Sequence, residues 1–272
     1  EHMTNGMVFV AAALHGQNLS ELAEKVTALE PSELSFVDGE TLGLLEQKVG
    51  DTSWKKFSDN LPSAMIFVEF DDKKSSKKAK KMARILEDFG IEDVKMASEF
   101  EDQESLRSMR DSVRAVSNFN ERGVVAPSIG TDLLVQPSRI PEFVEKIRAI
   151  FAKHHLDGGI WGDLASGRIT AQPLLNPVNL GQKQSLIKLI PDLRAAANDY
   201  SAPATNQIAN GRLGSLFISD LYDKDALKIF ADVKTTFDPF GILNPGVKFG
   251  LDNEELLRSI KRDFTHDRFL EF

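Results

Sequence analysis

Short runs rich in β-branched and aromatic residues alternate with helical periodicity, and their order constrains this chain more than any other feature. "MVFVAAAL" (7–14) reads as a buried strand, followed by a helix over 19–29 with Leu22, Val26 and Leu29 on one face. "ELSFVD" (33–38) and "AMIFVEF" (64–70) are further strands, the latter clustering Phe with β-branched residues. A helix over 75–89 buries Met82, Ile85, Leu86 and Phe89 and stops at Gly90, and "VKMAS" (94–98) returns as a strand. Ser98 and Glu101 form a capping-box signature for a helix across 101–117. The second half repeats the rhythm with a strand at 132–137 and a helix over 139–155 carrying Pro141 in its first turn. A hairpin over 158–175 turns at Ser166-Gly167, and helices follow over 181–198 and up to Phe237. Strand-helix-strand in succession is the order of a ferredoxin-like α+β sandwich, an antiparallel sheet flanked by helices. The rhythm allows that unit to be used twice, although no clear sequence repeat supports a duplication. Segments 51–63 and 118–131 read as loops.

A chain of 272 residues can bury a full core. Its net charge of −8 argues against a general nucleic-acid binder. No apolar run approaches the roughly 20 residues that cross a bilayer. Without cysteine there is no disulfide, thiolate metal site or cysteine nucleophile. The reading therefore expects a cytoplasmic protein, with residues 1–5 as a cloning scar.

Few residues stand out as chemistry. "KKSSKKAKKMAR" (73–84) aligns Lys73, Lys77, Lys80 and Arg84 in one helical stripe, which reads as a solvated face or as a contact for an anionic partner or membrane surface. Its positive charge at a helix N-terminus is unfavourable and leaves the run partly unexplained. His154-His155 reads as a helix C-terminal cap, and "EFEDQE" (99–104) as first-turn acid charge. No spacing supports a metal site or a Ser/His/Asp arrangement. The glycines of "DGGIWGDLASG" (157–167) form neither a dinucleotide fingerprint nor a Walker loop. "FADVKTTFDPFGILNPG" (230–246) reads as a helix brought to a halt by Asp238-Pro239, Gly241 and Asn244-Pro245-Gly246, giving a stiff, turned peptide.

That last segment closely resembles the C-terminal signature of FAD-linked oxidases of the vanillyl-alcohol oxidase superfamily, nearest the glycolate oxidase and D-lactate dehydrogenase group. "LKIFADVKTTFDPFGILNPG" (227–246) has that group's lysine-bearing helix, Phe-Asp-Pro, Gly and Leu-Asn-Pro-Gly. "DLLVQPSRIPEFVEKIRAIF" (132–151), "AMIFVEFD" (64–71) and "WGDLASGRITAQPLL" (161–175) are similar to further family segments, in the family's order.

The resemblance implies a cap, or substrate, domain over 6–250, with a helical extension over 251–272. It implies a separate FAD-binding domain as partner, FAD as cofactor in the full-length protein but not retained by this chain, and a small carboxylate as substrate. The implied reaction is oxidation of a 2-hydroxy acid, with hydride passing to flavin. Asn244, Pro245 and Gly246 are the implied flavin-side contacts. Asp163 and Thr170 stand where the family has histidines, and Gln207 and Ile208 where it has Glu-His, so no metal site is expected. Asp163 remains a candidate base, and Arg212 and Arg110 candidate carboxylate holders, with structural ion pairs as the alternative for both arginines. A catalytically degenerate domain serving binding or assembly is the other functional reading. An unrelated ferredoxin-like module is the third.

Overall fold

The computed structural model describes residues 8–117, 120–121, 124–129, 132–176, 179–204 and 211–248. The expectations for residues 1–5, Gln207, Ile208 and 251–272 lie outside the described residues.

The first half builds β1 (Val8–Leu14), α1 (Leu19–Thr27), β2 (Glu33–Asp38) and α2 (Gly39–Leu44), then β3 (Ala64–Phe70), α3 (Ser75–Asp88) and β4 (Val94–Ala97). α4 (Phe100–Asp111), α5 (Arg114–Ser117) and a small hairpin of β5 (Asn120–Glu121) and β6 (Val124–Val125) lead to the second half. There follow β7 (Leu133–Leu134), α6 (Ile140–Lys153), β8 (Asp157–Asp163), β9 (Arg168–Leu174), α7 (Leu180–Asp199), α8 (Ile218–Leu221) and α9 (Lys224–Phe237).

Seven strands form one antiparallel sheet in the order β4-β1-β3-β2-β8-β9-β7. The first four are a complete ferredoxin-like unit: β1 and β2 lie two strands apart, with β3 between them. The second unit, β7-α6-β8-β9-α7, repeats that connectivity, with its fourth strand reduced to a bridge between Leu133 and Ala204. The units meet edge to edge where β2 pairs β8 through Ser35–Asp163, Phe36–Gly162 and Val37–Trp161. The unit is thus used twice without a visible sequence repeat.

Helices α1, α3, α6 and α7 cover one face of the sheet. Their apolar stripes, such as Ile140, Phe143, Ile147 and Ile150 of α6, interlock with Val10, Phe36, Ile66 and Ile160 from the strands. Burying each such side chain contributes about 1.5–3 kcal/mol. The opposite face is covered only in part: α2 and α4 lay Leu42 and Leu106 over Phe9, Met65 and Phe67. β8 and β9 remain more open on this side.

A buried ion pair crosses the join between the units. Arg148 of α6 donates from Nε and Nη2 to the two oxygens of Asp38, each at 2.7 Å, and from Nη1 to Gly158 O at 2.6 Å. Asp38 also caps α2 by accepting from Thr41 N, and the Thr41 hydroxyl receives Ile160 N at 2.7 Å.

Several elements differ from the sequence reading. The helix expected over 101–117 begins at Phe100, and Glu99 rather than Ser98 sits at its cap, with no side chain capping it. That helix breaks at Ser112, whose hydroxyl donates to Met109 O at 2.7 Å. The strand over 132–137 shrinks to two residues because Pro137 opens a 3-10 turn. The presumed loop 51–63 contains a 3-10 turn that buries Trp54. α7 runs unbroken through Pro191, held by buried Leu186, Leu189, Ile190 and Leu193.

Candidate functional site

On the more open face, a cavity of about 840 Å³ lies over the join between the two units. Side chains alternate along a strand, so odd-numbered residues of β2 and β8 and even-numbered residues of β9 share this face. The register sets them in two rows. One is Ser35, Asp163, Arg168; the other is Val37, Trp161, Thr170. All six line the cavity. Gly159 makes room for the indole, because a Cβ there would meet Trp161 at 2.7 Å and Val116 at 3.0 Å. Gly167 closes the β8–β9 turn at φ +76°, where a Cβ would lie 1.9 Å from Val135 O, so no other residue fits.

Asp163 sits at the end of β8 and accepts a hydrogen bond from Ser166 N at 2.6 Å through Oδ1. Among the described residues its Oδ2 has no hydrogen-bond partner. Arg110 also lines the cavity, yet its guanidinium is well engaged. It donates to Glu33, bonds Asp111 at 3.0 Å and approaches Glu69 at 3.8 Å. Burial works against its charge, but the Asp111 hydrogen bond and the Glu33, Asp111 and Glu69 carboxylates hold its pKa above the ordinary arginine value. Arg107 binds Glu69 and Glu104, each at 2.7 Å, and both arginines lie 5.8 Å from the Phe9 ring centroid. Arg110 is therefore part of the cavity wall, in the structural ion pair that the sequence left as its alternative. Among the described residues, no group of three His, Cys, Asp or Glu is placed to hold a metal ion.

The remaining sequence candidates gather elsewhere. Arg212 and the Asn244–Gly246 peptide do not line the cavity. Arg212 Nε donates to Pro245 O at 3.0 Å, and the Ser215 hydroxyl donates to Gly246 O at 3.3 Å. Asn244 and Gly246 adopt positive φ of 47° and 74°. Upstream, the buried Asp238 carboxylate organises the turn. It accepts from Lys234 Nζ at 2.5 Å, Ile242 N at 2.9 Å and Leu243 N at 3.0 Å. The Lys234 hydrogen bond, with those backbone donors, holds the Asp238 carboxyl below the usual carboxylate range despite burial. Around this turn the chain turns its apolar side chains outward. No residue of α9 is buried, and Phe237, Phe240 and Ile242 are 81%, 86% and 73% exposed.

Sequence reasoning missed Ser35 and Arg168 as neighbours of Asp163, and Gln172 as a further residue lining the same cavity. The hairpin turn at Ser166-Gly167 was the available signal, because it puts residues 168, 170 and 172 on the face that Asp163 occupies.

Residues 4–247 match the family described as FAD linked oxidases, C-terminal domain. This chain belongs to that family. Among curated relatives, the domain is 23% identical over 226 residues to a D-lactate dehydrogenase of Archaeoglobus fulgidus, covering 83% of this chain and 46% of that one. It is 23% identical over 128 residues to the D-2-hydroxyglutarate dehydrogenase of Escherichia coli, covering 47% of this chain and 12% of that protein. The FAD-linked oxidase C-terminal domain thus spans less than half the length of these relatives. Its fold matches 4-ethylphenol oxidase from Gulosibacter chungangensis with TM-score 0.58 at 13% identity, covering 89% of this chain and 53% of that one. It also matches p-cresol methylhydroxylase with TM-score 0.59 at 9% identity, covering 89% and 52%. No helix among the described residues is long and apolar enough to cross a membrane.

Proposed function

We propose that this domain is the substrate-side half of an FAD-dependent oxidoreductase acting on a small 2-hydroxy acid, joined to an FAD-binding domain. One observation carries the reading: a polar row, Ser35–Asp163–Arg168, lies in an open cavity of a chain whose family is FAD-linked. The relatives named as D-lactate and D-2-hydroxyglutarate dehydrogenases support the substrate class.

FAD, when bound, would accept a hydride. Trp161 lines the cavity, and the outward apolar surface around Asn244–Gly246, outside the cavity, is the other place where a flavin domain could meet this chain. Asn244 is the proposed ring-side contact, and Arg212 holds its peptide by gripping Pro245 O. Arg168, directly across the strand pair from Asp163, carries a guanidinium of the kind that binds carboxylates. Asp163, oriented by Ser166 N through one oxygen, offers the other to receive the substrate hydroxyl proton. Arg110, bound by three acids, stiffens the wall and takes no proton. The exposed apolar face of α9 supports the docking of a partner domain, since monomeric surfaces rarely leave such groups together.

The test is flavin-coupled dye reduction by the full-length protein over 2-hydroxy acids, amino acids and alcohols. Turnover on 2-hydroxy acids is expected. Inactivity across the whole panel would overturn the reading in favour of a domain that serves binding or assembly. That second reading is favoured by Thr170, which cannot serve as a base where the resembling enzymes have histidine.

A further inference from the structure

Helix α3 carries charge in the order least suited to its own stability. Its first turn has no acid and no side-chain cap, and its last turn has no base, whereas α1, α2, α7 and α9 are capped by Asn18, Asp38, Asn179 and Asp223. Lysines crowd its positive end, while Glu87 and Asp88 stand at its negative end. Six exposed cations, Lys73 and Lys74 just ahead of the helix and Lys77, Lys80, Lys81 and Arg84 on its outer side, make no ion pair among the described residues. Lys78 alone of this run is neutralised, by Asp72 at 2.7 Å and Glu30 at 3.9 Å. In a chain of net charge −8, this is a concentrated positive surface that folding does not require.

From this we infer that α3 is a docking surface for an anionic phospholipid bilayer. The side chains on offer are five lysines and one arginine, with no exposed aromatic among them. Protein interfaces are depleted in lysine and anchored by aromatic and arginine side chains, so the composition suits a diffuse polyanion better than a shaped protein partner. Clusters of this size on one helix are drawn to acidic headgroups at short range. The apolar side of α3, with Ala79, Met82 and Leu86, is buried against the sheet, so the contact is adsorption through charge without insertion. α3 packs on the face opposite the cavity, so the bilayer leaves the proposed site open.

The test is co-sedimentation of the full-length protein with phosphatidylcholine vesicles, with and without roughly one-third phosphatidylserine. The wild-type protein is compared with a Lys73→Gln, Lys77→Gln, Lys80→Gln, Arg84→Gln variant. The wild type is expected to bind only the anionic vesicles, and binding should weaken steeply as salt shortens the screening length toward about 8 Å. The variant, whose four changes are on the surface, keeps its thermal melt and loses on the order of a thousandfold in partitioning. Absence of binding to anionic vesicles at low salt overturns the proposal, as does equal binding by the variant. Stripe-dependent binding that is tighter to duplex DNA or polyglutamate than to vesicles also overturns it, assigning the surface to another class of partner.

Discussion

Asp163 carries two separable demands, because one oxygen holds the hairpin turn while the residue also lines the cavity. Asp163→Asn keeps an acceptor for Ser166 N, so stability in denaturant titration should change by no more than about 0.5 kcal/mol. Turnover in the full-length protein should fall on the order of a hundredfold if the carboxylate receives the proton. Equal losses of stability and turnover would reduce Asp163 to a turn residue. Arg148 poses the opposite case. Truncation in Arg148→Met leaves the Asp38 carboxylate buried beside only Thr41, at a cost of about 3 kcal/mol. The double variant with Asp38→Asn should recover part of that loss, which a denaturant double-mutant cycle measures directly. The Asp38–Arg148 pair could not be read from the sequence, since its members lie 110 residues apart and only the fold brings them together.

At the scale of elements, α9 and the turn after it respond as a unit to the charge on Asp238. The folded pKa of this group is depressed below 3.8, so the ionised form stabilises the turn above the unfolded value. That contribution is lost as pH falls through the folded pKa. Amide protection at Ile242 and Leu243, followed by hydrogen exchange, should therefore hold at neutral pH and fade only in acid below the ordinary carboxylate range. Protection that declines already near pH 6 would remove Asp238 as its cause. The Pro and Gly punctuation of this turn was legible in the sequence, as were β1, β3 and the amphipathic helices, because period and breaker residues act locally. The Ser98 cap was misplaced by one residue, and α2 went unseen. Its helix rests on Asp38, whose cap depends on a distant arginine rather than on a local pattern.

For the molecule as a whole, the paired ferredoxin-like units were readable from rhythm, yet the site was not. Ser35 and Arg168 reach Asp163 only through the β2–β8 and β8–β9 registers, and register is fixed by burial of one sheet face rather than by residue type. The proposed division of labour also has a test at this scale. The isolated chain should purify without a yellow flavin absorbance, and a stoichiometric flavin spectrum would refute the proposed dependence on a partner domain.

The two units share just three register pairs between β2 and β8, backed by Arg148. Any molecule resting across Ser35 and Asp163 touches both units at once, and so works as a clasp. Occupancy should slow amide exchange through both half-sheets together, including strands that the ligand never meets.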